Sequence, residues 1–126
     1  MHKSRLGTLI FDCNSDDLGS HAIFWGKALG LTPESEESPA NAKYLRLEGG
    51  PDDPKVLLQK VDHESRVHID IEADDIEAEV ARLEKLGASV VNVTEGWTVM
   101  EAPSGHRFCV IGPIRPDFEE NANSWD

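Results

Sequence analysis

The chain has 126 residues, a length typical of one domain with its own hydrophobic core. Apolar residues make up 39% of it, and no apolar run approaches the roughly 20 residues that a membrane-spanning helix needs. The formal net charge of −12 repels phosphate backbones and anionic membranes, so the composition argues against nucleic acid and membrane partners.

The cysteines and the N-terminus indicate a cytoplasmic protein. The apolar stretch after "MHKSR" is "LGTLIF", which ends at Asp12 and is too short for a secretory signal. Cys13 and Cys109 are the two cysteines, and they lack the spacing of a redox or zinc motif. We therefore expect two reduced thiols.

The first half of the chain predicts one helix between strands. Residues up to Asp12 form the first strand, and a helical stripe follows that is closed by Gly30 and consists of Leu18, Ala22, Trp25 and Leu29. The acidic stretch "ESEESPANA", residues 34–42, predicts a mobile loop. "KYLRLE" and "KVLLQKV" predict two further strands, separated by the turn residues "GGPDDP".

The second half predicts the same order. "RVHIDIE" alternates apolar and polar residues, as a strand does. A helical stripe follows, made of Ile76, Val80, Leu83 and Leu86, with Gly87 after its end. Asp74 and Glu77 have the spacing of a capping box at the start of this helix. "SVVNV", "WTVMEA" and "HRFCVIG" then predict three strands.

The two halves also share a motif, which indicates a duplication. "IFDCNSDDL", residues 10–18, aligns with "HIDIEADDI", residues 68–76, so that three aspartates of each coincide. Since one half cannot bury its own sheet face, the economical interpretation is a single domain of two modules over residues 1–126. Module one spans about residues 5–62, module two about 66–112, and a C-terminal tail covers 113–126.

A strand, a helix and two or three strands, written twice over nearly the whole chain, resemble the vicinal oxygen chelate superfamily. This superfamily includes glyoxalase I, bleomycin-resistance proteins and extradiol dioxygenases. The more specific stretches are "DDLGSHAIFWGKALGL", "SRVHIDIEADDIEAEVARLEKLGA" and "VMEAPSGHRFCVI", which most resemble bacterial glyoxalase-like domain proteins. The resemblance implies an α+β fold in which two βαβββ modules form a cupped mixed sheet, with the helices outside and a ligand inside.

Strand alternation then predicts which side chains line the cup. If Val67, Ile69 and Ile71 pack under a helix, His68 and Asp70 face the opposite, concave side. The repeat places Leu9 and Phe11 with the packed residues. The predicted ligand pocket consists of Ile10, Asp12, Gln59, His68, Asp70 and Cys109.

The resemblance also implies where a metal ion would lie. Metal-dependent relatives take ligands from the first and last strand of each module, and these positions fall on Ile10, Gln59, His68 and Cys109. Only His68 is a conventional ligand for the family's metals. We therefore expect no cofactor, although a divalent metal is possible at His68, and a set of Asp12, His68 and Asp70 would be hard enough to bind one.

The candidate catalytic residues are His68 and Asp70, which would form an acid–base pair if their side chains meet. The alternative is that His68 only lines a wet cavity. Cys109 is an inert small residue or a nucleophile. The paired aspartates before each helix are interpreted as helix caps.

Three functions are compatible with these residues. The first is a small-molecule-binding protein with a degenerate metal site, for which the negative chain would suit cationic compounds. The second is a metal-dependent glyoxalase-like lyase, isomerase or dioxygenase, and the third a metal-free acid–base enzyme using His68 with Asp70 or Asp12. A homodimer is expected from the resemblance and from the tail aromatics Phe118 and Trp125, which predict docking of the tail onto the body or a second subunit.

Overall fold

The computed structural model describes residues 1–34, 43–50 and 53–126. The predicted loop at 34–42 therefore lies outside the described residues except for Glu34. The strands are β1 (His2–Cys13), β2 (Thr32–Pro33), β3 (Tyr44–Glu48), β4 (Lys55–Lys60), β5 (Arg66–Ala73), β6 (Ser89–Thr94), β7 (Trp97–Glu101), β8 (Arg107–Ile111) and β9 (Asn123–Trp125). The helices are α1 (Leu18–Leu29), α2 (Ile76–Lys85) and α3 (Phe118–Asn121). No helix within these described ranges is long and apolar enough to cross a membrane.

The chain divides into two compact units. The first unit is Thr8–His68, and the second unit combines Met1–Gly7 with Ile69–Asp126. Both β1 and β5 therefore contribute residues to each unit, because the division cuts these two strands near their middle.

The first unit is a mixed sheet with α1 on one side. Its strands have the order β2-β3-β4-β1, in which β1 and β4 are parallel and the other neighbours are antiparallel. Apolar residues of α1 pack on alternate residues of these strands, because a strand presents every second side chain to the same face. This core contains Cys13, Leu18, Ala22, Leu45, Leu47 and Leu58, with Phe11 and Trp25 packed against it.

The second unit repeats that arrangement. Its strands have the order β6-β7-β8-β5, again with one parallel pair, β5 and β8. Its core contains Ala73, Leu83, Met100, Phe108 and Val110, with Ile69 and Ile71 packed against it. The predicted α+β fold of two βαβββ patterns is confirmed. Val67 does not pack as expected and is 49% exposed, because it lies at the beginning of β5.

The strand registers agree with the sequence repeat. Asp12 of β1 is the partner of Gln59 on β4, and Asp70 of β5 is the partner of Cys109 on β8. Each pair joins the first and last strand of its βαβββ pattern. Asp12 and Asp70 therefore occupy equivalent positions, as the alignment of the two motifs predicts.

The helix caps differ from the prediction at α2. The Asp75 carboxylate, not that of Asp74, accepts a hydrogen bond from the backbone N–H of Ala78. The predicted capping box is wrong because the helix begins at Ile76, which makes Asp75 the residue before the first helical turn. Asp74 instead accepts a hydrogen bond from the backbone N–H of Lys3 at 2.8 Å.

The cap of α1 follows the prediction. Asp17 accepts a hydrogen bond from the backbone N–H of Ser20, and the helix ends at Gly30 with φ of 72°. Glycine adopts that left-handed conformation without the steric cost of a side chain.

The C-terminal tail docks onto the second unit. β9 pairs antiparallel with the beginning of β1, and Phe118 is 4% exposed. The Trp125 indole N–H donates to the Ser4 hydroxyl at 2.8 Å, and the Arg82 guanidinium lies 3.9 Å from the centre of the Trp125 ring. The two tail aromatics thus contact their own chain, which is one of the two predicted outcomes.

Buried ion pairs hold the tail and the N-terminus together. Arg5 donates to both Glu72 and Asp117, and Glu72 also accepts the backbone N–H of Ile114. The Glu72 side chain is fully buried, and its neighbour Arg115 donates to the Leu6 carbonyl. The tail is therefore fixed by charge-assisted hydrogen bonds in addition to apolar contacts.

Candidate functional site

A buried carboxylate and an imidazole form a close pair in the first unit. Asp12 lies near the end of β1 and His68 near the beginning of β5. The His68 Nδ1 donates to the Asp12 Oδ2 at 2.7 Å, and their side chains are 15% and 2% exposed. A carboxylate can only accept here unless it is protonated, so the proton of a neutral His68 lies on Nδ1.

The second carboxylate oxygen of Asp12 lacks a donor. Its Oδ1 is buried and has no hydrogen-bond partner among the described residues. Such an atom is rare, because an unsatisfied buried acceptor costs about 1–3 kcal/mol. The Arg66 Nε lies 3.7 Å from Oδ2 and contributes a positive charge nearby.

The hydrogen bond to Asp12 fixes which ring nitrogen of His68 carries the proton. Because Nδ1 is held by Asp12, the ring orientation is fixed and Nε2 is the nitrogen that can take up a proton. Histidine is the side chain most often used for proton transfer near neutral pH.

The other predicted pocket residues of the first unit lie on the same strands. Ile10 is on β1, two residues before Asp12, and is 5% exposed. Gln59 is the cross-strand partner of Asp12 and is half-buried. Both therefore share the sheet face that carries Asp12, since cross-strand partners and alternate residues point to one side.

The remaining two predicted pocket residues are partners in the second unit. Asp70 on β5 lies opposite Cys109 on β8, and both side chains are half-buried. Both side chains take part in further interactions. Neither Cys13 nor Cys109 forms a disulfide bond within the described part of the chain.

The positions implied for a metal carry two ionisable donor groups, His68 and Cys109. Ile10 has no donor atom and Gln59 offers a neutral amide. Within the second unit, the cross-strand partners Asp70 and Cys109 offer one oxygen and one sulfur, and a sulfur ligand suits zinc better than manganese.

Arg66 is the site residue that the sequence prediction missed. It lies two residues before His68 on β5, so alternation puts it on the same face as His68. That signal was present in "RVHIDIE", but an arginine at the start of a strand is usually a solvated residue. Its contact with Asp12 required the position of β1.

The solved structures with a similar fold include those of a hypothetical protein, an epimerase and a glyoxalase. A hypothetical protein from Bacillus halodurans C-125 has a TM-score of 0.62 at 15% identity, covering 89% of this chain and 96% of that one. A methylmalonyl-CoA epimerase from Mycobacterium tuberculosis has a TM-score of 0.60 at 14% identity, with coverages of 86% and 87%. A Mn(II)-bound glyoxalase from Novosphingobium aromaticivorans has a TM-score of 0.59 at 22% identity, with coverages of 89% and 40%.

These identities show a shared fold and no more. A search of the curated proteins finds no match. The model of the glyoxalase-like domain family matches residues 8–111, which is most of the chain. By this match, the chain belongs to the glyoxalase-like domain family of the vicinal oxygen chelate superfamily.

Proposed function

We propose that this protein binds a small molecule and exchanges a proton with it through His68, with Asp12 as the positioning residue. The observation that supports this proposal is the hydrogen bond of 2.7 Å between the His68 Nδ1 and the almost completely buried Asp12 carboxylate. A buried acid placed behind an imidazole fixes its tautomer and leaves Nε2 as the nitrogen that can accept a proton from a substrate.

The reaction class is proton transfer at an acidic C–H or O–H group. The His68 Nε2 removes the proton from the substrate, and the bonding electron pair stays on the substrate as an enolate or alkoxide. The imidazolium then returns the proton to the same or a neighbouring atom. The proton count is conserved, and no oxidant or reductant is needed.

Deuterium exchange across a panel of small carbonyl compounds tests this proposal. The protein is incubated in D2O with 2-oxoaldehydes, 2-oxo acids and acyl-CoA thioesters, including methylmalonyl-CoA, and deuterium uptake is measured by mass spectrometry. We expect uptake into at least one compound, and His68→Gln should reduce its rate by roughly 10²–10⁴-fold.

His106→Gln is the matched control, because it removes an exposed imidazole from a turn of the second unit. It should leave the rate unchanged. Equal uptake with the wild type and His68→Gln would refute the role of His68.

A metal-dependent reaction is the second candidate, which the Asp70 carboxylate and the Cys109 thiol, partners across β5 and β8, favour. In the same experiment, exchange that is lost with EDTA and restored by Mn(II) or Zn(II) would support it. Exchange that is indifferent to EDTA would support the metal-free proposal.

A homodimer and a cytoplasmic location are further proposals. The tail aromatics no longer support a dimer, since they contact their own chain. The exposed edge strand β6 does support one, because Val91 and Val93 are 43% and 70% exposed. A monomer in light scattering at micromolar concentration would contradict the dimer. The proposed location rests on the two cysteines of the sequence, which lack the spacing of a redox or zinc motif.

A further inference from the structure

The sheet of the first unit has one face opposite α1, which we call the open face. Because Leu45, Leu47 and Leu58 pack with α1, their sequence neighbours on β3 and β4 point to the other side. The strand registers place these neighbours opposite one another on β3, β4 and β1, so that they form rows across the sheet. The open face consists of Thr8, Ile10, Asp12, Tyr44, Arg46, Glu48, Lys55, Leu57 and Gln59, with Arg66 and His68 from the beginning of β5.

The open face is basic although the chain is strongly acidic. It carries the cations Arg46, Lys55 and Arg66 against the carboxylates Asp12 and Glu48. The Asp12 charge is buried and already engaged by His68. The net charge of −12 therefore does not describe this surface, on whose described residues cations outnumber carboxylates by three to two.

Among the described residues of the open face, Arg46 and Lys55 are cations without an ion-pair partner, and Arg46 lies in the row next to Asp12. The cross-strand partner of Arg46 is Leu57, whose own partner on β1 is Ile10. In the second unit, the equivalent row pairs Glu101 on β7 with Arg107 on β8. The Arg107 Nε lies 3.2 Å from the Glu101 carboxylate.

Arg46 lies on the same face of the sheet as Asp12, one row of side chains away. Two strand spacings, about 10 Å, separate the Cα atoms of Arg46 and Ile10. The Cα atom of Asp12 lies two residues further along β1, about 7 Å from that of Ile10. An extended arginine side chain covers much of the distance between the Cα atoms of Arg46 and Asp12. Arg66 is already in place, with its Nε 3.7 Å from the Asp12 Oδ2.

We propose that Arg46 and Arg66 select a small anionic substrate, with a carboxylate or phosphate group, and hold it while His68 exchanges the proton. This inference rests on the proposed function and adds the substrate class. A guanidinium group matches the oxygens of either anion with two parallel hydrogen bonds. An anionic substrate takes the place of the cationic ligand that the overall charge of the chain suggested.

Titration with three small probes of matched size tests the charge selection. Malonate, malonamide and 1,3-diaminopropane are added to the full-length 15N-labelled protein at fixed ionic strength, and the arginine Nε–H and backbone signals are followed by NMR. We expect malonate to shift the Arg46 and Arg66 signals saturably, and the neutral and cationic probes to bind at least about tenfold more weakly. Inorganic phosphate, as a fourth probe, tells the two anion classes apart.

Single variants test the residues. Arg46→Gln and Arg66→Gln should each weaken malonate binding at least about tenfold. Lys27→Gln, an exposed residue of α1, changes the net charge equally and should have less than a twofold effect. Equal losses in all three variants, or tighter binding of 1,3-diaminopropane than of malonate, would overturn the proposal.

His68→Gln separates this inference from the proposed function. Its malonate affinity should stay within about threefold of the wild type, because the anion is held by the arginines and not by the imidazole. Deuterium exchange that fails while malonate still binds would refute the proton transfer alone. Loss of binding in His68→Gln would refute the anion site as assigned to the arginines.

Discussion

Replacing Glu79 by glutamine is expected to lower the free energy of unfolding by about 3 kcal/mol at neutral pH. The Glu79 side chain is fully buried on α2 and accepts hydrogen bonds from His2 at 2.8 Å and from Arg82 at 2.8 and 2.9 Å. The neutral amide keeps the volume but loses the charge that these partners require. Chemical unfolding in urea measures the effect.

Glu84→Gln is the matched control for this variant. Glu84 is exposed on the same helix, so its replacement should change the stability by no more than about 0.5 kcal/mol. If both variants unfold at the same urea concentration, the buried charge of Glu79 does not contribute to the stability of the fold.

The same interaction predicts a pH dependence. Burial raises the pKa of Glu79, but hydrogen bonds from Arg82, Ser4 and His2 outweigh burial and lower it to about 2 from an ordinary value of 4.5. A carboxyl whose pKa is lower in the folded state stabilises the fold above its unfolded value. The contribution of about 3 kcal/mol is therefore complete above pH 5 and is lost as the pH falls from 4.5 through about 2.

The difference between the wild type and Glu79→Gln isolates this contribution. Asp16 and Asp117 also have pKa values below their usual range, because of hydrogen bonds from Lys60 and Arg5. Their titration affects both proteins equally and cancels. A difference in stability that stays constant from pH 6 to pH 2.5 would contradict the assignment to Glu79.

Local patterns predicted the fold because they depend on short-range geometry. Alternation in "RVHIDIE" separates Ile69 and Ile71 from His68 and Asp70, and the structure packs the two isoleucines against the core as expected. The spacing of the two motifs predicted that Asp12 and Asp70 are equivalent, which the strand registers show. These features follow from two or three neighbouring residues at a time.

Such local patterns did not predict contacts between residues that are far apart in the sequence. The sequence left Asp12 and Asp70 as alternative partners for His68, since both share the expected face, and only the placement of β1 shows the contact with Asp12. The interaction of Arg5 with Glu72 and Asp117 joins residues 67 and 112 positions apart. No periodicity marks such pairs, because each residue alone looks like an ordinary surface charge.

Replacing Asp12 should produce the largest change in the candidate site. Without its carboxylate, nothing holds the proton of His68 on Nδ1, and the amide of Asp12→Asn can donate to Nδ1 and favour the opposite tautomer. The Nε2 would then carry a proton and could not accept one from a substrate. We expect the rate of deuterium exchange to fall by roughly 10²-fold or more, the scale of a general-base contribution.

The tautomer itself can be measured in the absence of any substrate. The 15N shifts of the His68 ring should show Nδ1–H in the wild type and a change toward Nε2–H in Asp12→Asn and Asp12→Ala. Asp16→Asn removes an exposed carboxylate of the same unit and should leave the ring signals unchanged. If His68 keeps its proton on Nδ1 in Asp12→Ala, another group sets its tautomer and Asp12 is not the positioning residue.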